Sequence, residues 1–250
     1  MNKLIKIPCL PENSVKHCLI GEKYIKEINE LKELGINCIS LDKNSYLEEE
    51  ISCHADILAF NFGNGQVLLN KGAIGESSLT EIGIEPVFAD SLIASPYPKD
   101  IPLNVAYTGR HIICNSKYTA REIIDFAKIN NIEIIDTKQG YSKCNLCLVS
   151  EDAVITEDAG LASLLNNSQY NVLLISSGDI SLSEKHYGFL GGASCKISAD
   201  KIYFSGDLSS HRDYESIIKF LELFNVQPIY NKSRKLTDFG GIIQLTELSN

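Results

Sequence analysis

A C-x-x-C pair, Cys144 and Cys147, stands in the stretch "KQGYSKCNLCLV" with Lys143 and Asn145 beside it. Two thiols at this spacing suit a zinc knuckle, a redox dithiol, or one nucleophile with a neighbour. A knuckle needs two further ligands, yet there is no second C-x-x-C, and His17, His54, His111, His186 and His211 show no paired spacing. A thioredoxin-like dithiol opens a helix. Here Asn145 to Val149 reads as a strand, on which Cys144 and Cys147 point to opposite faces. What survives is Cys144 alone, where the Lys143 ammonium would lower the thiol pKa and favour a reactive thiolate. The competing interpretation is a small packed hydrophobe, the usual fate of a free cysteine. Cys38, Cys114, Cys147 and Cys195 are read that way.

His54 and Asp56 are two residues apart at a predicted strand entrance, hence on one face. A carboxylate beside an imidazole is a usable general-base pair, or an ion pair of no consequence. Asp238, before the glycine pair Gly240-Gly241, could meet a cationic ligand from the opposite side. His186 reads as an exposed loop histidine that a displaced loop could bring to a site. Asp42, Asp90, Asp136, Asp179 and Asn231 recur at strand ends, which suggests turn chemistry. "HRDYESIIKF" has the letters of a kinase loop but opens an amphipathic helix, and "GGASC" lacks the spacing of a nucleotide loop. Glu48-Glu49-Glu50 reads as a solvated face.

The elements that must position these residues repeat. A helical stretch, then Gly or Asn, then a β-branched strand recurs at Gly35, Gly83, Asn131, Asn171 and Asn225, spaced 48, 48, 40 and 54. These residue types tolerate the left-handed conformation that ends helices. Hairpins fall between the joins, the first turning at Asn64-Gly65. The predicted fold is α/β, a single domain over 1–250 of five like units, approximately 36–83, 84–131, 132–171, 172–225, and a split unit of 226–250 plus 1–35. Pairing the terminal segments closes the ring as a five-fold pseudosymmetric α/β propeller and protects edges otherwise open.

Such a ring resembles the pentein fold of arginine deiminases, dimethylarginine dimethylaminohydrolases, amidinotransferases and agmatine deiminases, and of a non-enzymatic ribosome anti-association factor. "KQGYSKCNLCLV", "GFLGGASC" and "LTDFGGIIQL" are similar to motifs of a bacterial group set beside these guanidino-modifying enzymes. The resemblance implies a central channel faced by five strand entrances: Ser52–Asp56, Ile101–Asn104, Ser142–Asn145, Phe189–Ser194 and Thr237–Gly241. It also implies a cysteine nucleophile in the last hairpin and a histidine in the fourth unit. In this sequence Gly240 to Gln244 and the few residues after them hold no cysteine, and Gly188 to Gly192 hold no histidine.

The charge of −9 argues against a nucleic-acid partner and favours a cationic small ligand. No apolar run approaches a bilayer span, and the start carries no adequate secretory signal. Eight scattered cysteines suit a reducing cytoplasm. The sequence carries no signal for an oligomeric state.

The expectation is a protein that binds a small cationic guanidino- or amino-acid-like ligand, or a partner, at the channel without the usual cysteine–histidine chemistry. Asp56, Asn104, Lys143, Asn145, Gly191, Gly192, Asp238 and Gly240 are the candidate contacts. The alternative is an amidinohydrolase- or deiminase-like enzyme with Cys144 as nucleophile and His54 as base. No metal and no cofactor are expected. The glycines either leave room for a ligand or allow tight backbone packing.

Overall fold

The helices end where the chain can turn left-handed, and the strand that follows each helix is set by that turn. In this computed structural model, which describes residues 2–73, 77–184 and 186–249, Gly35, Gly83, Asn131 and Asn225 all have φ between 55° and 82°. At the fourth join the left-handed residue is Gln169 (φ 64°), two positions before the expected Asn171, which opens a strand instead.

In chain order, β1 (Asn2–Leu4) and β2 (Val15–Gly21) precede α1 (Ile25–Glu33) and β3 (Asn37–Leu41). A four-residue helix α2 (Ala55–Leu58) leads into β4 (Ala59–Asn61), β5 (Gln66–Leu69), α3 (Ser77–Thr80) and β6 (Glu85–Phe88). Then come β7 (Ala106–Tyr107), β8 (His111–Cys114), α4 (Arg121–Ile129) and β9 (Glu133–Asp136). A second four-residue helix, α5 (Ser142–Asn145), leads into β10 (Cys147–Ser150), β11 (Ala153–Thr156), α6 (Ala159–Asn167) and β12 (Asn171–Leu174). Last are β13 (Ser194–Ser198), β14 (Lys201–Phe204), α7 (Tyr214–Leu223), β15 (Gln227–Tyr230) and β16 (Ile243–Leu248).

Among the described residues these strands form five small sheets of one plan: an antiparallel hairpin whose second strand pairs in parallel with the strand after the next helix. Each sheet therefore takes its third strand from the start of the segment that follows. In the sheet ordered β1-β16-β2-β3 the last strand lies between the first two, Asn2 facing Leu248 and Leu19 facing Ile243. Parallel strands covered by helices read as continuous apolar runs, and Ile112, Ile113 and Cys114 of β8 and Val154 and Ile155 of β11 are all buried.

The segment before β2 covers one end of the space between the sheets. Ile5 donates its amide to Leu245 O at 3.1 Å, and Cys9 takes φ 68°. A Cβ at Gly63 would stand 2.1 Å from Lys6 O, so that chain passes against bare backbone. Only about 10 Å³ remains beneath it, bounded by Pro8, Cys9, Asp56, Lys143 and Gln244. Among the described residues no helix is long and apolar enough to cross a membrane.

Candidate functional site

Two short helices, each leading into a strand, hold most of the candidate residues. His54 is the residue before α2 and Asp56 lies within it. Lys143 and Cys144 lie in α5, so the strand expected from Asn145 starts at Cys147 instead. Four residues are too few to show helical periodicity, and the apolar run after each helix reads as strand.

Asn104 ties the two helices together. Its Oδ1 accepts from the amides of Lys143 (2.8 Å) and Cys144 (3.2 Å), while its Nδ2 donates to Cys144 Sγ (3.1 Å) and to Asp56 O (3.2 Å). The Cys144 thiol donates to Asp56 Oδ2 at 2.9 Å. One ligand atom each from His54, Asp56 and Cys144 lies within 4.8 Å of the others. Asp238 is beside His54, Oδ1 3.7 Å from Nδ1, rather than across from it, and accepts from the amides of Phe189 (2.9 Å) and Gly240 (3.0 Å).

The glycines are there for close approach. Gly240 (φ 73°) would place a Cβ 2.5 Å from His54 Cα, and Asp56 N donates to Gly240 O at 3.1 Å. A Cβ at Gly192 would stand 2.1 Å from Asp238 Oδ1, and one at Gly191 2.5 Å from Cys144 O. Asn145 is turned to a local bond, accepting from Thr156 Oγ1 at 2.7 Å, and does not join the group.

Burial sets the electrostatics. His54, Asp56, Cys144 and Asp238 are each 1–3% exposed. Burial, with the charge of Lys23, pushes His54 down to about 3, so its ring is neutral. Burial raises Asp56 to about 7 despite Lys143, and Asp238 to about 6 despite the two amides it accepts from. The Cys144 thiol is driven well above its ordinary value, first by burial and then by Asp56 and Asp238. Of the two readings weighed for Cys144, this favours the packed thiol over a thiolate beside Lys143. Two carboxyls and a dry environment outweigh one ammonium, whose Nζ bonds only loosely to Gly191 O at 3.5 Å.

A cleft of about 250 Å³ opens onto His54, Cys144 and Asp238, with Tyr141 and Phe189 among its walls and Glu48 and Glu50 at its edge. His186 lines it too, exposed as expected, its Nδ1 2.9 Å from Glu50 Oε2. A neighbouring groove of about 570 Å³ is larger but holds none of these buried acids; its Asp179 is engaged by Arg212.

Glu157 was missed from the sequence. It accepts from Leu190 N at 3.0 Å with its other oxygen unpartnered, and burial raises it to about 7. The acid one residue past the end of β11 was its available signal. Asn104 was flagged, but its role as a clamp was not.

Residues 19–243 match a family described as a family of unknown function (DUF6873). No curated protein matches. The fold is similar to that of an inosamine-phosphate amidinotransferase from Streptomyces griseus (TM-score 0.60, 9% identity, covering 100% of this chain and 97% of that one). It is also similar to C. jejuni agmatine deiminase (TM-score 0.59, 12% identity, 98% and 96% covered). A third relative in fold is the dimethylarginine dimethylaminohydrolase (DDAH) of Pseudomonas aeruginosa (TM-score 0.52, 10% identity, 88% and 93% covered). These are guanidino-modifying enzymes of the pentein fold, and the likeness extends to the mixed α/β architecture.

Proposed function

The chain belongs to the family of unknown function DUF6873, and on that premise we propose that it binds a small organic cation, guanidino- or amino-acid-like, in the cleft lined by Asp238 and by Cys144, the partner of Asp56. The observation that carries this is the imbalance of buried charge: two carboxyls, with Glu157 close behind, face one buried ammonium and a neutral imidazole. Buried carboxyls without matching cations are costly, and a cationic ligand would supply the match. Tyr141 and Phe189, with ring centroids 6.4 Å apart, offer faces for a planar cation. The pentein-like neighbours act on guanidino compounds, which supports this ligand class. Five like sheets and the interleaved terminal strands support a closed five-fold ring acting as a single domain, and eight free cysteines support a reducing compartment.

Calorimetric titration with agmatine and L-arginine tests the proposal. Binding is expected at neutral pH with proton release, because Asp56 ionises when a cation arrives, and Asp238→Asn should weaken it at least about tenfold. Equal affinity in that variant, or no binding of any amine, amidine or guanidine, sinks the proposal.

A second reading, hydrolysis, is favoured by the hydrogen bond from Cys144 to Asp56. Asp56 would take the thiol proton as Sγ adds to the guanidinium carbon, then pass it to the departing amine. Water would then split the thiouronium and restore the thiol. Alkylation separates the readings. Cys38 is the one cysteine not fully buried, so it should label first with iodoacetamide. Fast labelling of Cys144, with loss of turnover, would favour hydrolysis.

A further inference from the structure

We infer that His54, Asp56 and Cys144 form a site for a thiophilic divalent ion of the zinc type. The inference goes beyond the organic-cation proposal and does not depend on it. Three different donors, an imidazole nitrogen, a carboxylate oxygen and a thiolate sulfur, stand within 4.8 Å of one another. This donor set, few in number and partly soft, suits tetrahedral zinc rather than calcium or magnesium.

A second observation points to a ligand. Both ring nitrogens of His54 and Asp56 Oδ1 are buried without a hydrogen-bond partner, whereas buried polar atoms are nearly always satisfied. With Nδ1 already facing Asp238 at 3.7 Å, Nε2 is the nitrogen left for the ion. A carboxylate behind a ligating histidine is a recurrent outer-shell partner. Asn104 supplies the other outer contact, donating to Cys144 Sγ at 3.1 Å while fixing the amides of residues 143 and 144. The cleft that reaches His54 and Cys144 is the entry path. As the metal–sulfur bond forms, the thiol proton now donated to Asp56 leaves to solvent, and both electrons of the former S–H bond stay on sulfur. Three protein ligands leave a fourth position open toward the cleft. Lys143, close to Asp56, opposes a dication.

The test uses the full chain, stripped with chelator and titrated with Zn²⁺ and Co²⁺. One ion per chain is expected, with proton release and with the sulfur-to-cobalt charge-transfer and visible bands of tetrahedral cobalt. Asn104→Ala should weaken affinity roughly 10- to 100-fold, and Cys144→Ser and His54→Gln by more. Lys143→Met should tighten it, a change that a merely structural role for these residues does not explain. The paired Cys18→Ser/Cys38→Ser variant removes the thiols that lie 3.8 Å apart elsewhere and should leave the bands intact. A missing charge-transfer band in the wild type overturns the site, as does a band that survives in Cys144→Ser or disappears with Cys18 and Cys38. If Cys144→Ser does not fold, the wild-type titration and His54→Gln still decide. Agmatine titration in the presence of EDTA is a separate measurement, so failure of either proposal is visible on its own.

Discussion

Two of the places where the protein buries acidic side chains treat them in opposite ways. Where α1 meets the segment between β15 and β16, Glu27 and Glu30 surround Arg234. Its guanidinium contacts Glu27 Oε1 and donates to Glu30 Oε2 at 2.7 Å and Oε1 at 3.1 Å. Ser205 adds a bond to Glu27 (2.8 Å), and Asn231 adds one to Glu30 (2.9 Å). Burial alone would raise the Glu30 carboxyl, but Arg234, Tyr203 and Asn231 hold it below its usual value. At the cleft, Asp56 and Asp238 are raised. The first cluster fastens the last unit to the first helix. The second is left electrically incomplete, which has a use only if something arrives to complete it.

The widest effect should come from breaking the compensated cluster. Arg234→Ala strands one buried carboxylate, Glu27, and one half-buried, Glu30, and should cost about 3 kcal/mol by urea denaturation. The equivalent loss at the cleft, Asp56→Asn, should cost little at neutral pH, because it removes a carboxyl that is not matched.

The pH dependence sharpens the contrast. Asp56, raised to about 7, contributes stability below its unfolded pKa, and that stability is lost as pH rises through about 7. Asp238 behaves likewise through about 6. His54, lowered to about 3, contributes above its unfolded pKa and loses that contribution as pH falls through about 3. Between about pH 4 and 6 the native state holds two protons on these groups and the unfolded state one, so they make stability fall as pH rises. Asp56→Asn should flatten this slope and His54→Gln should double it, a change on the order of 2–3 kcal/mol across the window. Denaturation at half-unit pH steps reads it directly, and parallel curves for all three proteins would refute the assignment. The smallest effect is expected at the Arg212–Asp179 pair, where Arg212→Ala should barely move the urea midpoint and any loss should fade with salt.

The helix ends were legible because Gly and Asn mark left-handed joins, and Gly35, Gly83, Asn131 and Asn225 do so here. Gln169 escaped because glutamine carries no such signal, so the neighbouring Asn171 took its place. His54, Asp56, Lys143, Cys144 and Asp238 could be singled out as types and near-neighbours. Their meeting at one channel came only with the resemblance, and the clamp that holds them did not come at all, since Asn104 reaches residues 39 and 40 positions away. The activated-thiolate reading of Cys144 loses to the packed-thiol reading for a related reason. Lys143 is adjacent in sequence, whereas Asp56, which dominates the local charge, is 88 residues distant.

The segment packed before β2 has a consequence for traffic. With about 10 Å³ left between Pro8, Cys9, Asp56, Lys143 and Gln244, roughly the room of one water, nothing larger than water fits on that side of Asp56. The wider approach is the cleft that reaches His54, Cys144 and Asp238 between walls that include Tyr141 and Phe189. If two fragments were ever made there, the one nearer the mouth would depart first and hold the other behind it. Exchange would then be ordered by position alone.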